Sequence, residues 1–166
     1  AITVDTHLKI NNTEIERVNE IKFLGVTIEK KLSWKPHIDS IKAKLSKSLA
    51  VLYKVKDFLD EKALYLLHCS LILPYFMYCV EVWGNTYETH LKPLFIIQKR
   101  AIRLVNKAAC REHTHLLFTH LKALKLRELV TLRTAQFMYK VMYNLMPKQI
   151  QDLFQIRECF LRSQRV

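Results

Sequence analysis

Lys99, Arg100, Arg103 and Lys107 are four cations in nine residues with no acid between them. At about 3.6 residues per turn they fall within about a third of a helix circumference. Leu94, Ile97, Ala101, Ile102, Leu104 and Val105 make the opposite side. A helix stabilised by its own ion pairs would alternate the signs of its charges. An all-cationic face is suited instead to a polyanion, and above all to the phosphates of a nucleic acid. A second candidate face holds Lys44, Lys47 and Lys54, opposite a stripe formed by Ile38, Ile41, Leu45, Leu49, Leu52, Val55 and Leu59. For both faces the competing reading is a solvated surface with no ligand.

Other chemistry-bearing residues carry weaker signals. Cys110, His113, His115 and His120 bring zinc to mind, and Cys-x-x-His is a plausible half-site. A second close ligand pair is missing, and His115 and His120 lie more than a turn apart on a helix, so surface or capping histidines are preferred and no metal is expected. Asp60-Glu61 is an acidic pair at a helix start, where capping and the helix dipole explain it. Cys69 and Cys79 read as inert core thiols. Trp34 and Trp83 could stack on bases, but each borders a helix beside apolar residues, and core packing is the simpler role.

The elements that must hold these residues are mostly helical. Half of the 166 residues are hydrophobic, and only Gly25 and Gly84 are glycine. So few breakers argue for long helices. The start differs. Ile2, Val4, Leu8 and Ile10 suggest strand, Asn11-Asn12 a tight hairpin turn, and Ile15 to Val18 a second strand. Ile21 to Ile28 reads as one further strand, with Gly25 marking a bulge or a close backbone approach. Ser33 caps a helix with Pro36 in its first turn, running to about Leu59. Asp60 restarts a helix that breaks at Pro74, and Tyr75 to Val82 follows, with Gly84 a left-handed cap. Further helices are expected over Leu91 to Lys107, His115 to Leu121 and about Lys125 to Leu145. The last is apolar around much of its girth and should be buried. Lys148 to Phe154 is a short final helix, and the last dozen residues have no period.

The chain carries 27 Lys plus Arg against 15 Asp plus Glu, a formal net charge of +12. From Thr89 to Ile150 there are 12 Lys and Arg and 2 Asp and Glu, so 12 − 2 = +10 of the excess lies there. A surplus this concentrated points to a nucleic-acid partner. Four dispersed cysteines without a secretory signal fit an intracellular protein, nuclear or cytoplasmic. The apolar stretch Ala63 to Val82 is interrupted by His68, Pro74, Glu81 and three tyrosines, so no membrane partner is expected.

Four runs in order resemble one family. Phe23-Leu24-Gly25-Val26 precedes Leu32-Ser33-Trp34-Lys35-Pro36-His37-Ile38. Ser70-Leu71-Ile72-Leu73-Pro74-Tyr75 precedes Tyr78-Cys79 and Val82-Trp83-Gly84. Gln98-Lys99-Arg100-Ala101-Ile102-Arg103 follows, then Arg111-Glu112-His113-Thr114 with Leu116-Leu117-Phe118. Over about Ile2 to Tyr143 the chain resembles reverse transcriptases of non-long-terminal-repeat retrotransposons of the jockey type. The resemblance implies a right-hand polymerase whose palm carries an aromatic-X-Asp-Asp motif. This sequence contains no Asp-Asp pair, and two-metal chemistry needs several converging carboxylates. No catalytic residue is therefore expected here. Mg²⁺ is expected only in a catalytic palm outside this sequence, and the chain alone should be inactive. What the resemblance leaves is a mainly α fold with a short N-terminal β-sheet. Residues 1–33 would be a palm edge with a primer-grip-like Phe23-Leu24-Gly25, residues 34–109 a helical thumb bundle, and residues 110–166 a C-terminal helical extension. Its partners would be an RNA–DNA hybrid or DNA duplex and the missing N-terminal polymerase domains. The opening at Ala1, without Met, fits a piece of a longer protein. The alternative is a non-catalytic helical interaction module, or a degenerate relic of such an element.

Overall fold

A computed structural model of the chain describes residues 9–154. Of the strand expected from Ile2 to Ile10 only its end, Lys9–Ile10, is described, and the aperiodic last dozen lie outside the described residues. Within them the fold is mainly α with a short N-terminal β portion. Two antiparallel hairpins, β1 (Lys9–Ile10) with β2 (Thr13–Glu14) and β3 (Glu20–Phe23) with β4 (Val26–Glu29), precede eight helices. These are α1 (Lys35–Val55), α2 (Glu61–Leu71), α3 (Leu73–Met77), α4 (Val80–Trp83), α5 (Glu88–Val105), α6 (Thr114–His120), α7 (Leu126–Met142) and α8 (Lys148–Gln151).

The first turn is as expected. Asn11 and Asn12 both take positive φ, 48° and 62°, and join strands paired Ile10 to Thr13. That is the two-residue turn whose twist matches the strands it connects. The second strand region departs from expectation. Ile15 to Val18 is not strand, and Ile21 to Ile28 is not one strand but a hairpin folded at Leu24-Gly25. Leu24 at φ 44° and Gly25 at φ 82° form the turn, so Gly25 supplies a left-handed corner rather than a bulge. A leucine in the left-handed region is the reason the turn was hidden: its type signals strand.

α1 begins at Lys35 after Trp34, whose φ is 62°, and Pro36 sits in the first turn. Ser33 is displaced from the cap by one residue. Its hydroxyl still accepts the Lys35 amide at 3.3 Å and donates to the Glu29 carboxylate. Ile38, Ile41, Leu45 and Leu52 are buried along one side, as their spacing requires. Asp60 caps α2 by accepting the Ala63 amide at 2.9 Å. The break near Pro74 comes at Ile72, and Pro74 opens α3. The piece expected over Tyr75 to Val82 is split, because Cys79 at φ 50° reverses the chain between α3 and α4. Cys69 and Cys79 are half-buried, Cys79 packing against the core, and Cys110 is exposed.

Gly84 is not a left-handed cap: its φ is −72°. Its missing side chain serves packing instead. A Cβ there would lie 2.4 Å from the Val80 carbonyl oxygen and 2.7 Å from Val130 Cγ2, so α4 and α7 approach only because the position is bare. α1, α2, α3, α4, α5 and the first half of α7 share one core that includes Leu45, Leu64, Phe76, Trp83, Leu94, Ala101 and Leu129. The second half of α7 departs from expectation. Leu132, Met138, Tyr139 and Met142 are exposed and only Val141 is buried. Apolar residues spread around a helix give it no single face to bury, and the helix outruns the core. Among the described residues no helix is long and apolar enough to cross a membrane.

Candidate nucleic-acid interface

α5 positions the basic stripe. Leu91, Leu94, Ile97, Ala101 and Val105 are buried in the core shared with α1, α2 and α7, and Ile102 is buried beside them. The opposite side carries Lys99, Arg100 and Arg103, and successive turns bring them into line. Arg100 is exposed. Lys99 is half-buried, its Nζ 4.3 Å from the Phe95 ring centroid, so the cation is held over an aromatic face. Arg103 is less free than its position suggests: its Nε donates to the Glu112 carbonyl at 2.8 Å and pins the loop after α5. Lys107 lies just beyond the helix. α5 ends at Val105, and Lys107 at φ 51° occupies the left-handed position that glycine usually takes. The Ala108 amide returns to the Arg103 carbonyl at 2.9 Å and the Lys107 amide to the Leu104 carbonyl at 3.2 Å, which closes the helix end. Lys107 is exposed there.

Lys92 was missed by the sequence reading. It is exposed, seven residues before Lys99 and so about two turns earlier on the same stripe. Among the described residues the ion pairs involve Arg127 with Glu88, Lys125 with Glu128 and His120 with Glu61. Lys92, Lys99, Arg100 and Lys107 are in none of them. Lys44, Lys47 and Lys54 are exposed on α1, with Lys44 Nζ 5.9 Å from the Tyr75 ring centroid. They stand on a different helix from the α5 stripe.

Gln98 was also missed. Followed at once by two cations in sequence, it turns inward and is fully buried. Its Nε2 donates to the Leu124 carbonyl at 2.9 Å, and its Oε1 accepts the Leu126 amide at 2.9 Å. The N-cap of α7 is Lys125, whose side chain has no acceptor. Gln98 therefore caps α7 from a neighbouring helix, and Glu128 adds a bond from the Lys125 amide at 2.8 Å. The alternation of Gln98 with Lys99 and Arg100 separates a structural clamp from a solvent-facing stripe.

The β3–β4 hairpin presents its tip to solvent. Phe23 and Leu24 are 61% and 74% exposed, while Val26 is buried beneath. His37 fastens the hairpin to α1: its Nδ1 accepts the Thr27 amide at 3.3 Å. Burial, and then the nearby Lys44 charge, lower its pKa below the ordinary histidine value, so the ring stays neutral and able to accept. Trp34 packs partly buried on the core and Trp83 is fully buried, so both indoles are packing residues. His120 Nδ1 lies 3.1 Å from Asn106 Oδ1 and 3.3 Å from Glu61. Among the described residues no three His, Cys, Asp or Glu side chains are grouped as a metal site.

No family model matches the chain, and no solved structure matches it significantly. Curated proteins do match. The probable RNA-directed DNA polymerase from transposon X-element of Drosophila melanogaster is 23% identical over 99 residues, 58% of this chain and 11% of that protein. The probable RNA-directed DNA polymerase from transposon BS of the same species is 22% identical over 110 residues, 61% of this chain and 12% of that protein. The RNA-directed DNA polymerase from mobile element jockey of Drosophila funebris is 26% identical over 106 residues, 60% of this chain and 11% of that protein. The matched region is thus only 11–12% of each relative's length.

Proposed function

Given a chain related to the RNA-directed DNA polymerases of mobile elements, we propose that it forms the thumb side of such an enzyme. In this reading it holds primer–template duplex, an RNA–DNA hybrid or a DNA duplex, along the α5 stripe. The observation that carries the reading is the run of Lys92, Lys99, Arg100 and Lys107 along α5 and the turn that closes it, none of them in an ion pair among the described residues, with the helix anchored from behind. A thumb must hold a duplex of changing sequence while it slides. Phosphate contacts do this because they position without reading bases. They also release counterions, so binding weakens steeply with salt. Lys44, Lys47 and Lys54 would serve as a second phosphate-facing set. The tip at Phe23, Leu24 and Gly25 would meet the primer end.

Catalysis belongs elsewhere in this reading. The sequence has no Asp-Asp pair, and Asp60, in its acidic pair Asp60-Glu61, caps α2. We assign the Mg²⁺ ions and their carboxylates to polymerase domains outside this sequence, which would be its protein partners. A second reading, a helical interaction module, is favoured by the exposed apolar run on α7. Chemical-shift mapping of the labelled protein against a short RNA–DNA hybrid separates the two. Shifts concentrated at Lys92 to Lys107 are expected. Shifts absent there, or confined to α7, would replace the thumb reading with the second one.

A further inference from the structure

The hairpin tip is tied to the helical unit by a side chain with no assigned role. The Tyr78 hydroxyl donates to the Leu24 carbonyl, across 54 residues of sequence. The Tyr78 ring covers the other half of the turn, with its Cε1 3.6 Å from where a Gly25 Cβ would stand. Tyr78 can reach the tip because Cys79, at φ 50°, turns the chain sharply between α3 and α4. Its own carbonyl is held in turn, accepting the Trp83 indole Nε1 at 2.9 Å. Trp83 is buried edge-on to His37, ring centroids 5.9 Å apart, and His37 accepts the Thr27 amide on β4. The hairpin is thus held at its tip by Tyr78 and at its second strand by His37, and both lead to one indole.

A hairpin of two four-residue strands has little stability of its own. β3 is exposed along its whole length and the tip buries only Val26, so core packing does not fix where Leu24 points. Nor does the core need the phenol, since Tyr78 is 52% exposed. What the phenol does is set the tip relative to the unit that carries the α5 stripe. We propose that Tyr78 is a positioning residue, a latch that fixes the Phe23-Leu24 tip so that it meets the strand end of the duplex lying on α5. This rests on the thumb reading for its ligand, but the latch itself does not.

The test uses the whole 166-residue chain and Tyr78→Phe, which removes one hydroxyl and keeps the ring over Gly25. Amide exchange in the free protein reads the latch. Residues 20–29 should exchange about two- to tenfold faster in the variant, the range expected for one lost hydrogen bond, while α1 and α5 amides are unchanged. Affinity for a recessed primer–template end against a continuous duplex reads the positioning. The wild type should prefer the recessed end, and Y78F should lose that preference with its salt dependence unaltered. Equal hairpin exchange in both proteins would overturn the latch. Faster exchange with end preference intact would overturn the positioning role. A wild type that shows no end preference would also overturn the positioning role, and one that fails to bind either duplex would overturn the thumb reading as well, with the exchange result deciding the latch separately.

Discussion

Replacing Gln98 by Met tests how α7 is held against the basic helix. Met keeps the length and most of the volume of Gln but neither accepts nor donates a strong hydrogen bond. The Leu126 amide, at the first residue of α7, and the Leu124 carbonyl both lose their partner. Leu126 is buried, so its amide has no ready access to water. A buried group left unpaired costs about 1–3 kcal/mol, and partial hydration of the carbonyl lowers its share, so about 2–4 kcal/mol is expected in total. For a chain of this size that is a fall in melting temperature of roughly 4 to 16 °C. Urea denaturation followed by far-ultraviolet circular dichroism measures it, with an unchanged slope showing that the native state stays compact. Exchange at α7 amides should rise more than at α5. A Q98M protein within about 0.5 kcal/mol of wild type would refute the trans-cap, because the two bonds would then carry none of the stability assigned to them.

Acid should destabilise the fold through His68. The ring is fully buried with both nitrogens unpartnered, and burial pushes its pKa down to about 4 from the ordinary 6.5. The unfolded state takes the proton first, so stability is full above about pH 6.5 and falls as pH drops towards 4, by up to about 3 kcal/mol. His37 acts in the same direction. His68→Phe should flatten the slope of unfolding free energy between pH 6.5 and 4, and an unchanged slope would count against it. Lys122 sits at φ 50° after α6, with the Ala123 amide returning to the Phe118 carbonyl at 2.9 Å. Lys122→Gly relieves that strain at some cost in unfolded-chain entropy, so a net gain of about 0.5 kcal/mol is expected in denaturant titration, where a loss would contradict it. Gly84→Ala should cost about 1–3 kcal/mol by forcing α4 from α7, and a neutral result would show that the contact gives way freely.

The parts of the fold legible in the sequence were those fixed by period or by local side-chain chemistry. α1 and α5 follow from apolar residues every three or four positions, because one buried stripe decides such a helix. Asn11-Asn12 and Asp60 announce their turn and cap through their own polar groups. The failures have a common cause, which is that tertiary packing decided the local conformation. Leu24, Cys79, Lys107 and Lys122 take positive φ without a residue type that signals it. Gly84 carries the usual mark of a left-handed cap, yet is bare because Val130 presses on it. α7 has apolar residues enough to suggest burial, but no composition says where the core stops. At the candidate interface, charge and helical period put Lys99, Arg100 and Arg103 on the side of α5 away from its buried face, where the structure has them. They did not reveal that Arg103 holds the Glu112 loop, or that Gln98 faces inward. A polar residue at a buried register position, four before Ile102, was the available signal for Gln98.

The salt dependence of duplex binding decides whether the α5 stripe is a phosphate track or only part of a diffuse positive charge. The pair to change is Arg100→Gln with Lys107→Gln, since Arg103 also supports a loop. Lys9→Gln with Lys148→Gln, exposed on β1 and α8 and away from the α5 stripe and the β3–β4 tip, removes the same charge elsewhere. On B-DNA each phosphate contact contributes about 0.9 to the slope of log affinity against log salt. The α5 pair should therefore flatten the slope by about one to two units, on DNA duplex and RNA–DNA hybrid and on unrelated sequences alike. The control pair should change it little, and circular dichroism should show both variants helical. Equal losses from the two pairs would mean that the duplex does not lie along α5, and would contradict the thumb reading.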